Sequence, residues 1–141
     1  FIGFIDRNTV ENKLIPSNPH VDFSPETTDG ISIMVYLNDV GGGTALFKNK
    51  ITNQYYGDTE HHFKMNEDGF NFEKSKIKKN KYWEPYSIAY CKKNRGIIIN
   101  STRFHSGFFN LENWPKHIKS RKTLNIFLSK EKNNNKNMYN N

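Results

Sequence analysis

His20 and Asp22 stand two residues apart in the stretch Pro19-His20-Val21-Asp22-Phe23. On an extended backbone that spacing sends both side chains the same way, so an imidazole nitrogen and a carboxylate oxygen can bind one metal ion together. The pair needs a third ligand, and His105, in Ser101-Thr102-Arg103-Phe104-His105-Ser106-Gly107, is the best candidate. Two imidazoles and one carboxylate on one face of a metal leave coordination positions open, an arrangement suited to oxygen chemistry at Fe(II). A His-x-Asp tripeptide is common by chance, so its weight depends on the elements around it.

Those elements read as strands. Pro16 and Pro19 bias their neighbours to extended backbone just before the His-Val-Asp stretch. Residues 31–38 form the clearest strand, with Ser32, Met34, Tyr36 and Asn38 on one face and Ile31, Ile33, Val35 and Leu37 on the other. Asp39-Val40-Gly41-Gly42-Gly43 breaks it, and residues 44–47 make a second short strand, expected to pair with the first as a hairpin. Further strands are predicted over 86–91, 96–100, 104–109 and 122–128, with a turn at Asn94-Arg95-Gly96. The last puts Arg121, Thr123, Asn125 and Phe127 on one face and Lys122, Leu124, Ile126 and Leu128 on the other. Residues 1–5 read as an edge strand or the end of a helix, and 24–30 as a turn or loop. Residues 48–85, rich in Tyr, His, Asn and Lys, show no sustained period and read as an irregular insertion or lid, with at most short helix or strand pieces. Residues 130–141 form a Lys/Asn-rich tail expected to be disordered.

Short strands in series, without a long amphipathic helix, predict an all-β sandwich or barrel, and a two-sheet jelly roll most easily gathers residues 20, 22 and 105 around one cavity. At 141 residues the chain holds one domain, read as 1–129. Eleven Phe and seven Tyr supply a core. Twenty-one Lys and Arg against 14 Asp and Glu give a net charge of +7, which favours acidic partners or simply keeps a Lys-rich surface soluble. A single cysteine, Cys91, excludes an internal disulfide and a Cys-based zinc cage, and fits an intracellular, reducing compartment. No apolar run is long enough to cross a bilayer as a helix. The chain opens at Phe1 rather than Met, so an upstream segment with a targeting signal can precede it. Its Lys- and Asn-heavy composition suits an AT-rich genome, bacterial or viral.

Taken in order, Pro19-His20-Val21-Asp22, Ile33-Met34-Val35-Tyr36-Leu37-Asn38-Asp39, Gly42-Gly43-Thr44-Ala45-Leu46-Phe47, Phe104-His105-Ser106-Gly107 and Arg121-Lys122-Thr123 resemble the Fe(II)/2-oxoglutarate-dependent dioxygenase superfamily. The prolyl-hydroxylase-like branch is the nearest in pattern. The resemblance implies a double-stranded β-helix (jelly roll, cupin-like), with Fe(II) held by His20, Asp22 and His105. It also implies 2-oxoglutarate as cosubstrate, with O₂ as oxidant, ascorbate as reductant, and succinate and CO₂ as products. Arg121 and Thr123 would hold the far carboxylate of 2-oxoglutarate, a task suited to a planar guanidinium. Tyr36 matches the strand tyrosine whose hydroxyl contacts that carboxylate in this branch, and is otherwise a core aromatic. The long interval between His105 and Arg121 requires the connection around Trp114 to loop out, and leaves Lys122 as a substitute for Arg121 on the opposite strand face. Phe127 stands where nucleobase-demethylating relatives carry a further arginine, which counts against that branch.

Arg103, two residues before His105, either lines the cavity and touches substrate or forms a surface salt bridge, and Asn100 with Ser101 is placed at the mouth. Trp83 and Trp114 read as packing, His61-His62 as surface, and the basic run Lys74, Lys76, Lys78, Lys79 and Lys81 as a solvated loop or a groove for an acidic substrate. The substrate expected is a protein side chain or a small molecule. Two other readings remain open: a catalytically inactive jelly-roll binding module for nucleic acid or an acidic partner, and a cupin-like enzyme without 2-oxoglutarate, which would need more central histidines.

Overall fold

The computed structural model describes residues 1–12, 19–23, 28–57 and 82–132. Within them lie seven strands and one short helix: β1 (Ile2–Asp6), α1 (Arg7–Glu11), β2 (Thr28–Tyr36), β3 (Gly42–Asn49), β4 (Trp83–Tyr90), β5 (Gly96–Asn100), β6 (His105–Phe109) and β7 (Ser120–Glu131). The strands form two antiparallel sheets, one in the order β1-β7-β2-β5 and one in the order β4-β3-β6. The all-β expectation holds at this level. No helix among the described residues is long and apolar enough to cross a membrane.

The expected hairpin between residues 31–38 and 44–47 does not form. β2 pairs with β5 and β7, whereas β3 pairs with β4 and β6 in the other sheet. Gly42 and Gly43 explain the divergence, because their φ values of +116° and +157° aim the chain away from β2 into a place where a side chain at Gly43 would collide with the Ala89 carbonyl. The stretch read as a loop over 24–30 contributes Thr28, Asp29 and Gly30 to β2. At its far end β7 runs on through Lys130 and Glu131, paired with Asp29 and Thr28, so the expected tail is structured at its start. Residues 133–141 lie outside the described residues, as do 58–81 of the expected insertion, with His61-His62 and the basic run. The first residues are an edge strand, β1 on β7, followed by α1, where Asp6 Oδ1 accepts from the Asn8 amide at 2.7 Å. Arg7 ties this corner to the connection before β7 by donating to the Trp114 carbonyl, while its amide donates to that of Lys119 at 2.7 Å.

Two apolar clusters hold the sheets. Ala45, Phe47, Trp83, Phe104 and Phe108 pack on one face of the three-stranded sheet, with Val21 and Tyr82 against them. Tyr36, Val40, Cys91 and Trp114 form the second, which joins Met34 of one sheet to Phe109 of the other. Both tryptophans are therefore core residues. The faces that the sheets turn toward each other are more polar: Ser32, Tyr36, Arg121, Thr123 and Asn125 are all buried there, and Tyr36 donates across the gap to Thr44 Oγ1 at 2.8 Å. The opposite face of the four-stranded sheet carries Phe4, Ile31, Ile98, Ile126 and Leu128, all exposed.

Phe47 is fully buried between Trp83 and the rest of its cluster. Phe47→Ala is expected to lower the unfolding free energy by about 3–5 kcal/mol, read as a shift of the urea midpoint at constant slope.

Candidate metal centre

Residues 19–22 are held against the start of β6. The His20 amide donates to the His105 carbonyl, and the His105 amide to the His20 carbonyl, each at 2.9 Å, while the Asp22 amide donates to the Ser101 carbonyl at 2.8 Å. Alternation then sorts the side chains. Val21 turns to the apolar cluster on the three-stranded sheet, and His20 and Asp22 turn the other way, toward His105. One donor atom from each of the three lies within 4.8 Å of the others, the only such cluster of His, Cys, Asp or Glu among the described residues.

Hydrogen bonding prepares these atoms for a cation. His105 Nδ1 sits 2.9 Å from the Arg103 carbonyl, which can only accept, so Nδ1 carries the proton and Nε2 presents its lone pair. That lone pair faces Asp22 Oδ1 at 3.5 Å. Two acceptors so placed repel unless a proton or a metal ion lies between them. Ser32 Oγ donates to Asp22 Oδ2 and fixes the carboxylate from behind. With a proton between His105 Nε2 and Asp22 Oδ1, burial still pushes the Asp22 pKa up, but the hydrogen bond and charge of His105, with Ser32 and His20, outweigh it and hold the carboxyl below its ordinary 3.8. The His20 ring stays exposed, its centroid 4.5 Å from that of His105.

Arg121 lies further along, beside Gly107 of β6. It is 4% exposed, on the inner face of β7, and its one hydrogen bond runs from Nη1 to the Gly43 carbonyl at 3.0 Å. Nε has no partner, and no carboxylate among the described residues neutralises the group. Its guanidinium carbon lies 5.2 Å from the Phe109 ring centre and 5.8 Å from that of Tyr36. Burial pulls its pKa down, opposed by Tyr36 and Cys91, yet a guanidinium keeps its charge at any physiological pH. A buried charge without a counter-charge is costly. Gly107 lies beside the group: a Cβ there would stand 3.6 Å from the guanidinium nitrogens, ordinary contact distance. Gly107 is two residues from His105 on β6, roughly 7 Å along the strand.

The other expected residues fall as follows. Lys122 is exposed, so of the two basic neighbours only Arg121 is inside. Thr123 is buried on the same face as Arg121, and its Oγ1 accepts from Asn125 Nδ2 at 3.1 Å. Tyr36 is wholly buried, its hydroxyl engaged with Thr44 Oγ1 and, at 3.2 Å, the Ala89 carbonyl, so it offers Arg121 its ring rather than its oxygen. Asn100 holds a turn, its Oδ1 accepting from the Thr102 amide and hydroxyl at 3.0 and 2.7 Å. Arg103 forms no salt bridge among the described residues and donates instead to two tyrosine hydroxyls. Sequence reasoning missed Ser32 as a support for Asp22, although its placement on the Tyr36 face of β2 carried the signal. It also missed the role of Gly107 beside Arg121.

The chain belongs to a family described as a family of unknown function (DUF6445), whose profile matches residues 9–128, a span that includes His20, Asp22, His105 and Arg121. No curated protein and no solved structure matches the chain.

Ser32→Ala removes the hydrogen bond behind Asp22 and is expected to weaken Mn(II) or Fe(II) binding about 10- to 100-fold by calorimetric titration, with the fold intact. For metal-free protein, a depressed carboxylate pKa contributes stability that is present above the unfolded value and lost as pH falls through the folded one. The stability gap between the native chain and Asp22→Asn should therefore close as pH falls below 3.8 in denaturant titrations.

Proposed function

We propose that this chain is an Fe(II)- and 2-oxoglutarate-dependent oxygenase that hydroxylates a protein side chain or a small molecule, with release of succinate and CO₂. The observation that carries the proposal is a juxtaposition. A cluster of two histidines and one aspartate, donor atoms within 4.8 Å, shares a strand with the glycine that lies beside a buried guanidinium with no anionic partner among the described residues. The donor set suits Fe(II), because two imidazoles and a carboxylate leave positions for cosubstrate and oxygen. The orphaned Arg121 Nε suits a carboxylate gripped through parallel hydrogen bonds.

In this reading His20, Asp22 and His105 hold the metal, and Arg121, with the Thr123 hydroxyl beside it, holds the far carboxylate of 2-oxoglutarate. Bound together, iron and 2-oxoglutarate supply an O₂-derived oxidant strong enough for an unactivated C–H bond. The chain's own contributions are positional. Arg103 O fixes the His105 tautomer, Ser32 fixes the Asp22 carboxylate, and Phe109 and Tyr36 keep water from the guanidinium, where a dry surround strengthens its hold on an anion. The framework we assign is the double-stranded β-helix. In its support, β2 to β3, β4 to β5, β5 to β6 and β6 to β7 each cross from one sheet to the other, as jelly-roll windings do.

Under anaerobic conditions, 2-oxoglutarate added to the Fe(II)-loaded protein is expected to produce a visible metal-to-ligand absorption band, and admitting air with ascorbate present to yield succinate. Asp22→Ala should abolish both. Arg121→Met should retain the metal and weaken 2-oxoglutarate about 10- to 100-fold, the worth of a charge-assisted hydrogen bond. No metal binding by the intact protein, or full affinity for 2-oxoglutarate in Arg121→Met, overturns the assignment.

A further inference from the structure

A second cationic group lies on the same face of the three-stranded sheet as the metal cluster, further toward the rim. Thr44 faces the opposite sheet through its bond from Tyr36, so alternation puts Leu46 and Lys48 of β3 on that face too. Leu46 is paired with His105, and Arg103, two residues earlier, is bridged to Tyr56. The Arg103 guanidinium donates from Nη2 to Tyr56 Oη at 2.8 Å and from Nη1 to Tyr86 Oη at 3.2 Å. Its carbon stands 4.5 Å from the Tyr56 ring centre. Tyr55 packs edge-on against Tyr86 at 4.9 Å, and the Lys48 ammonium lies 5.5 Å from the centre of the Tyr55 ring.

The hydrogen-bond inventory of this cluster is lopsided. Each tyrosine oxygen accepts from Arg103 and so keeps its own O–H free to donate, while the guanidinium retains N–H groups beyond the two it has used. Neither Arg103 nor Lys48 has an acidic partner among the described residues, and Glu84, opposite Lys48 in the ladder, forms no ion pair with it. Tyr56 and Tyr86 are 45% and 42% exposed, so the donors are open to solvent. Donors, two positive charges and flanking aromatic rings on one rim make a receptor for a planar anion, whose plane matches the guanidinium fork.

We propose that Arg103, with the hydroxyls of Tyr56 and Tyr86 and the charge of Lys48, forms a subsite that receives a carboxylate of the substrate and presents the rest of the molecule to the metal cluster. The main chain of Arg103 already fixes His105, so the subsite and the metal centre are joined through one residue. Its role as a substrate subsite rests on the oxygenase reading. Carboxylate binding itself does not.

The test uses metal-free, ¹⁵N-labelled protein, with the Arg103 Nε–H resonance as reporter and, as probes, N-acetylglutamate against N-acetylglutamine, each with its α-carboxyl blocked as the methylamide so that only the acid carries a carboxylate. A saturable shift with the acid and none with the amide is expected. The response should persist in Arg121→Met, and weaken about tenfold both in Arg103→Gln, followed through the Tyr56 and Tyr86 ring signals, and in the Tyr56→Phe, Tyr86→Phe double variant. Equal shifts with acid and amide, a response lost only in Arg121→Met, or binding of inorganic phosphate without N-acetylglutamate overturns the proposal. Because no metal or turnover enters the measurement, its failure leaves the oxygenase assignment standing, and absent iron binding leaves this result readable.

Discussion

The structure turns on a pair of backbone hydrogen bonds between His20 and His105. They join a short stretch near the start of the chain to a strand near its end, and everything that makes the centre chemically interesting follows from that register. A slip of one residue would turn Val21 toward the site and send His20 and Asp22 into the cluster of Phe47, Trp83 and Phe104. Burying an imidazole and a carboxylate there would be prohibitive, and so would exposing Val21. The apolar cluster thus specifies the register, and the register places the ligands.

The same logic applied to the four-stranded sheet gives the reverse of an ordinary sandwich. Sandwiches turn apolar faces inward, but here Ser32, Arg121, Thr123 and Asn125 are buried while Ile98, Leu128 and Phe4 are 69%, 52% and 63% exposed. Exposed aliphatic area forgoes about 25 cal/mol for each Å² that could have been buried. Stability is therefore supplied elsewhere: by the cluster on the three-stranded sheet, and by the one around Tyr36 and Trp114 that joins the sheets at one end. What remains between the sheets is a layer of buried hydroxyl, amide and guanidinium groups rather than an apolar core.

This division explains what could be read from the chain alone. Alternation in residues 31–38 and 121–128 was legible because period-two patterning is local, and it sorted Arg121 and Thr123 from Lys122 correctly. Which of the two faces points inward was not legible from hydrophobicity, since the apolar face of β2 is the outer one. The pairing of β2 was lost for a related reason: nothing local distinguishes a tight hairpin from a Gly-rich crossing between sheets, and the difference lies in the φ values of Gly42 and Gly43. His20, Asp22 and His105 could be nominated by type and spacing, but their convergence is a long-range fact. The hydrogen bonds that tune them, from Ser32 and to the Arg103 carbonyl, depend on that convergence, and only the face of β2 that carries Ser32 hinted at either.

The two halves of the centre are incomplete in opposite senses. At one end, the lone pair of His105 Nε2 and the carboxylate of Asp22 face each other and call for a cation. At the other, Arg121 is a buried cation with no anionic partner among the described residues. A metal ion alone would leave the guanidinium unneutralised, and a carboxylate alone would leave the facing acceptors apart. In the proposed oxygenase reading, a dicarboxylate that chelates the metal with one end and reaches Arg121 with the other would satisfy both, with Gly107 beside the guanidinium. Each partner would then bind more tightly in the presence of the other, because each removes a cost that the other cannot.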